Sequence, residues 1–138
     1  MSLFKQFKTD GAKENKGVPV TFGANDDKSV PTFYISRMAK QNKTYQKTVE
    51  ETFRPYQRAI NNKTLADDKA DSLMLDIFVK SVIVSWDNVQ DAEGKEITTR
   101  EGITELLKAL PDLYAELEAS AKDITLFRSE ELEQNSGN

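Results

Sequence analysis

Cysteine and histidine are both missing from the 138 residues. Without them the chain can form no disulfide, no Cys-based zinc site, no thiol nucleophile, no iron–sulfur cluster and no His-ligated haem. Ser-His-Asp chemistry and the His-dependent general bases are excluded as well. Glycine is scarce: six residues are dispersed and no G-x-x-x-x-G-K phosphate loop is present. Long apolar runs are also lacking. The richest stretch, Leu73 to Trp86, is interrupted by Asp76, Lys80, Ser81 and Ser85, which leaves it too short and too polar to span a bilayer. The opening MSLFKQFKTDGAKENKG contains no apolar stretch of the secretory kind, so the expected setting is the cytoplasm. In that setting Asn42-Lys43-Thr44 and Asn62-Lys63-Thr64 carry no weight as glycosylation acceptors.

What is present suits one small domain. Charged residues make up 30% of the chain and apolar residues 38%, with seven Phe, four Tyr and one Trp available for a core. The net charge of -4 conceals two unlike halves. Residues 1–63 hold twelve Lys and Arg against six Asp and Glu, whereas residues 64–138 hold seven against seventeen. The basic front could meet nucleic acid or an acidic partner. Its cations are scattered rather than clustered, which favours complementarity between the halves, within one molecule or between copies.

Residue patterns divide the chain into an N-terminal arm over 1–17, a mostly helical domain over 18–126 and an acidic tail over 127–138. The arm and tail are polar and expected to be mobile, though Leu3, Phe4 and Phe7 could tether the arm. Val18–Phe22 and Thr32–Ile35 are β-prone and flank a turn-rich Gly-Ala-Asn-Asp-Asp-Lys-Ser, which predicts a hairpin. Pro19 and Pro31 each remove a ladder donor and suggest edge strands.

Three helical regions follow. Met38, Tyr45, Val49, Phe53, Tyr56 and Ile60 share one face of a helix over 36–61, disturbed at Pro55. Thr64 and Asp67 form a capping-box-like start for a helix over 65–86, whose Leu75, Phe78, Val82 and Trp86 are expected to line the core. The run FVKSVIVSW within it is also β-prone. Glu93-Gly94-Lys95 reads as a turn, with Val89 and Ile97 as arms of a small hairpin. Thr98 or Thr99 caps a last helical region over 99–122, jointed at Leu110–Pro111.

Constellations that could carry chemistry fail their tests. An EF-hand loop with Gly94 in sixth place would run from Val89 to Arg100 and lacks both the leading Asp and the closing Glu. Asp67, Asp68 and Asp71 suit a helix start, and Glu130, Glu131 and Glu133 a solvated tail, so neither group reads as a catalytic pair. Phe33, Tyr34, Arg37, Lys40, Lys43, Tyr45 and Lys47 come nearest to a nucleic-acid surface, but Tyr45 lies on the apolar helical face. The residues alone describe a binding or assembly protein rather than an enzyme.

Three segments extend the reading: ISRMAKQNKTYQKTVEETFRPYQRAINNKTL, SVIVSWDNVQDAEGKEI and EGITELLKALPDLYAELEASA. In order and spacing they resemble the tail assembly chaperones of long-tailed bacteriophages and prophages, over about residues 35–121. In that family an Arg and an Asn precede an aromatic-bearing helix, like Arg37, Asn42 and Tyr45. Pro55 to Ile60, Trp86 to Val89, Glu93 to Lys95 and Leu110 to Leu113 match its later elements. Met38-Ala39-Lys40 stands where the family often has glycines, and the arm has no counterpart.

The resemblance implies a non-enzymatic factor, needing no cofactor or metal, that keeps the tape measure protein soluble during tail tube assembly and is absent from the virion. It also implies a homo-oligomer, a possible frameshifted longer form that recruits tail tube protein, and no role for nucleic acid or membrane. The long stripe of the last helical region makes Leu106, Leu110, Leu113, Tyr114 and Leu117, with Phe127 beyond it, the candidate partner-binding residues. The alternatives are a small structural virion protein of the capsid or tail completion type, or a nucleic-acid-binding phage regulator.

Overall fold

The computed structural model describes residues 2–128. The protein is mainly α-helical, with a small antiparallel sheet of three strands in the order β1-β2-β3. The chain begins with two short helices, α1 (Leu3–Phe7) and α2 (Gly11–Lys16), capped by the side chains of Ser2 and Asp10. The segment read as an arm therefore has local structure. Its second half is tied to the far end of the chain: the Asp10 amide donates to the Phe127 carbonyl at 2.7 Å, and Thr9 bridges Arg128. The tail read over 127–138 lies outside the described residues from 129 onward.

β1 (Val18–Thr21) and β2 (Thr32–Ile35) form the expected hairpin. Pro19 sits on the edge strand, where a missing donor is tolerated. β2, expected as an edge, is central, and Pro31 escapes the conflict by lying one residue ahead of it. The third strand, β3 (Ile83–Asp87), occupies the end of the stretch expected to be helical. α5 (Asp67–Ile77) passes through a π-helical turn at Phe78–Val82, and the chain then extends and pairs with β2. Val, Ile and Trp at 83–86 tolerate a strand well, and the unpaired side of β2 supplies ladder partners that an isolated helix lacks. A register shift between Tyr34 and Ile35 absorbs the irregularity at Val84.

Two other boundaries move, the first for a tertiary reason and the second for a local one. The first long helix, α3 (Lys43–Phe53), starts seven residues later than the apolar spacing suggests. The amides of Ser36, Arg37 and Met38 are claimed by the carbonyls of Val82, Glu14 and Ala121, which hold this stretch extended. Pro55 creates the disturbance expected of it, a 3₁₀ turn at Arg54–Tyr56 before α4 (Gln57–Asn61). Thr64 caps no helix start. Its amide and hydroxyl both donate to the Ala59 carbonyl, and Ala66 precedes α5. The last region matches its reading: α6 (Arg100–Ala109) is capped by Thr99, and α7 (Pro111–Lys122) opens on its proline. A 3₁₀ turn at Ile124–Phe127 ends the described chain.

One buried cluster draws on most elements: Val18, Phe33, Ile35 and Ile83 from the sheet, Leu75, Phe78, Val79 and Val82 from α5 and its π turn, and Ile103, Leu107, Leu117, Ala121 and Phe127 from the C-terminal third. Leu75, Phe78 and Val82 line the core as expected, and Trp86 packs against it from the strand.

Candidate partner-binding groove

The loop joining β3 to α6 folds back as a tight hairpin. The Ile97 amide donates to the Val89 carbonyl at 2.8 Å, and Gln90 bridges Glu96. Asp91 organises the tip: its Oδ1 accepts from the amides of Glu93 and Lys95 at 3.0 and 2.9 Å. Gly94 takes a φ of +82°, which a glycine adopts without strain. The Asp91 carboxylate is thus engaged in holding a turn.

The hairpin lies against the start of α6 because Gly102 leaves room. A Cβ there would stand 2.7 Å from Ile97 Cγ2. Trp86 secures the same corner by donating its indole N–H to the Ile97 carbonyl at 2.7 Å. Arg100 completes it. Its guanidinium donates to the carbonyls of Val79, Ile83 and Val84 at 2.6, 2.8 and 3.1 Å, and its Cζ lies 5.6 Å from the Trp86 ring centroid. Those carbonyls belong to the passage from π turn to strand, where regular backbone pairing is interrupted.

Between hairpin and helix runs a groove of about 550 Å³, within the size range of ligand pockets. Its apolar lining includes Ile97, Leu106, Ala109 and Leu110, and Leu110 is 49% exposed. Its charged lining residues are Asp91, Glu93 and Glu105, all acidic. Lys108 reaches Glu105 at 3.5 Å, an exposed pair of little energetic weight.

The six candidate residues separate into three environments. Leu106 and Leu110 line the groove together. Leu113 and Tyr114 are half-buried and pack on the core, with the Tyr114 ring 5.1 Å from that of Phe78. Burial and the nearby Glu118 carboxylate push the Tyr114 hydroxyl up to about 12. Leu117 and Phe127 are fully buried and offer no surface to a partner, which corrects their reading as contact residues. Helical spacing identifies the face these side chains share but not how much of it the rest of the chain covers. Ile97 and Ala109 line the groove as well, outside the set expected from the helical stripe. Ile97 was visible only as a hairpin arm, and Ala109 carried no signal at all.

The motif residues Arg37, Asn42 and Tyr45 are architectural. Buried Asn42 donates to Ser36 Oγ and the Arg37 carbonyl at 3.0 and 2.9 Å, while its Oδ1 accepts from the Tyr45 amide. Arg37 lies 3.6 Å from Glu14. Among the described residues no three acidic side chains gather as a metal site, and no helix is long and apolar enough to cross a membrane.

A second apolar surface lies at the N-terminus, where Leu3, Phe4 and Phe7 of α1 are 72%, 75% and 56% exposed.

A family model described as YdaY prophage protein matches residues 40–138, well over half of the chain. No curated protein and no solved structure matches it.

Proposed function

The chain belongs to the YdaY prophage protein family, and from that premise we propose that it is a tail assembly chaperone, which binds the tape measure protein and keeps it soluble while the tail tube forms. The observation that carries this reading is the groove. A holdase must present apolar surface to a client without collapsing on itself, and an open apolar channel edged by carboxylates meets both needs. A helical client would lay its apolar face along Leu106 and Leu110, with Lys or Arg beside that face meeting Asp91, Glu93 and Glu105. The motif order over about residues 35–121 supports the same assignment.

On this reading the protein acts in the host cytoplasm, without catalysis, and leaves before the virion is complete. Co-expression tests it. The tape measure protein should be soluble and co-purify with the chain, and Leu110→Lys should reduce co-purification at least tenfold without loss of helical signal. A tape measure protein that is equally soluble without the chain and never co-purifies with it would sink the assignment. Finding the chain instead as a stoichiometric component of purified tails would favour a structural virion protein.

A further inference from the structure

We propose that the α1 helix of one copy seats in the Leu106–Leu110 groove of a second copy, so that the chain self-associates head to tail. α1 is apolar where solvent would favour polar side chains. Three large apolar side chains lie on five residues, each more than half exposed. Contiguous exposure of this kind marks a surface that meets another. No residue of α1 is buried, so its own fold gains little from them.

The groove and the helix match in shape and charge. An opening of about 550 Å³ with an apolar lining accepts large side chains. Its charged lining is wholly acidic, while α1 and the residue after it carry Lys5 and Lys8 and no carboxylate. Phe4 and Leu3 would enter between Ile97 and Leu110, and the two lysines would face Asp91, Glu93 and Glu105. The unlike charges of the two halves of the chain favour the same encounter.

A second copy is the natural source of that helix. Within one chain the Thr9–Arg128 bridge and the Asp10–Phe127 hydrogen bond anchor the arm at the C-terminal 3₁₀ turn, and Arg128 lies over the Phe7 ring at 5.4 Å. The contact uses different surfaces on the two copies, so it is heterologous and propagates unless a ring closes. One five-residue helix covers less surface than a standard interface, so the association is weak and reversible. A client helix bound in the groove would displace the arm, but the proposal itself does not require a client.

The experiment is sedimentation of the purified full chain over a concentration series, without any client. The expected result is a mass that rises reversibly above the monomer. Deleting residues 2–8, or substituting Leu110→Lys, should each weaken self-association at least tenfold. Mixing these two variants should restore a one-to-one pair and nothing larger, because one retains only the groove and the other only the arm. Phe4→Asp, at a position three-quarters exposed, repeats the arm test without truncation, with far-ultraviolet circular dichroism as the check on folding. A full chain that stays monomeric up to about 1 mM overturns the proposal, since that excludes even millimolar affinity. So does an oligomer that survives all three variants. Because no tape measure protein is present, either outcome leaves the client assignment to its own test.

Discussion

Asn42 illustrates how much one side chain can organise. It is almost wholly buried, caps α3 through its carbonyl oxygen and spends its amide protons on Ser36 and Arg37. Asn42→Ala removes the cap and leaves buried acceptors unpaired, so it should cost about 2–4 kcal/mol in urea unfolding. Asn42→Asp keeps the cap acceptor but loses both donors and buries a charge, and it should recover none of that loss at pH 7. Tyr114 makes a different kind of prediction. Its hydroxyl is held up to about 12 by burial first and Glu118 next. The unfolded chain gives up this proton near pH 10, before the folded chain does. The stability linked to Tyr114 is therefore intact below pH 10 and lost between pH 10 and about 12. The urea midpoint of the wild type should fall more steeply across that interval than the midpoint of Tyr114→Phe.

The passage from α5 through the π turn into β3 depends on Arg100, which lies on another element and supplies donors to three carbonyls. Arg100→Ala should cost about 1–3 kcal/mol, because it leaves those acceptors without their charged partner. Arg100→Lys should resemble Ala more than wild type, since an ammonium cannot span three carbonyls as a planar fork does. Equilibrium unfolding of both variants measures this directly. Local chemistry accounts for three other boundaries. Thr99 and Pro111 begin their helices, and Pro55 interrupts one, through interactions within a few residues.

The N-terminus divides into two parts with different roles in the whole molecule. No described side chain of α1 is buried, whereas residues 9–17 include Gly17, the Thr9 bridge and the buried Glu14. Gly17 takes a φ of +94° with the Ile35 backbone 3.1 Å from where a Cβ would be, so this turn is built into the sheet. Deleting residues 2–8 should change stability by less than about 0.5 kcal/mol, as for other exposed segments. Deleting residues 2–17 should cost more than about 1 kcal/mol, because it strips the hydrogen-bond partners of Phe127 and Arg37. Thermal unfolding of the two truncations separates the outcomes. The same comparison shows how much residues 2–8 add to the stability of their own copy.

Sequence by itself determined whatever depends on near neighbours. The β1–β2 hairpin, the break at Pro55, the Gly94 turn, the Thr99 cap and the Leu110–Pro111 joint each follow from side chains within a few positions of where they act. The absence of cysteine and histidine was equally legible, and with it the exclusion of thiol and imidazole chemistry by these residues. Tertiary structure decided the fate of residues 83–87, whose side chains suit helix and strand alike until β2 offers a partner. It also decided which parts of the C-terminal stripe remain at the surface. Leu110 and Leu117 are spaced as equals along the chain, yet one is half exposed and the other buried, because only the core closes over Leu117. The groove belongs wholly to this second kind. Its walls come from residues 90–97 and 102–110, and they meet only because Trp86, Arg100 and Gly102 bring a hairpin and a helix into contact.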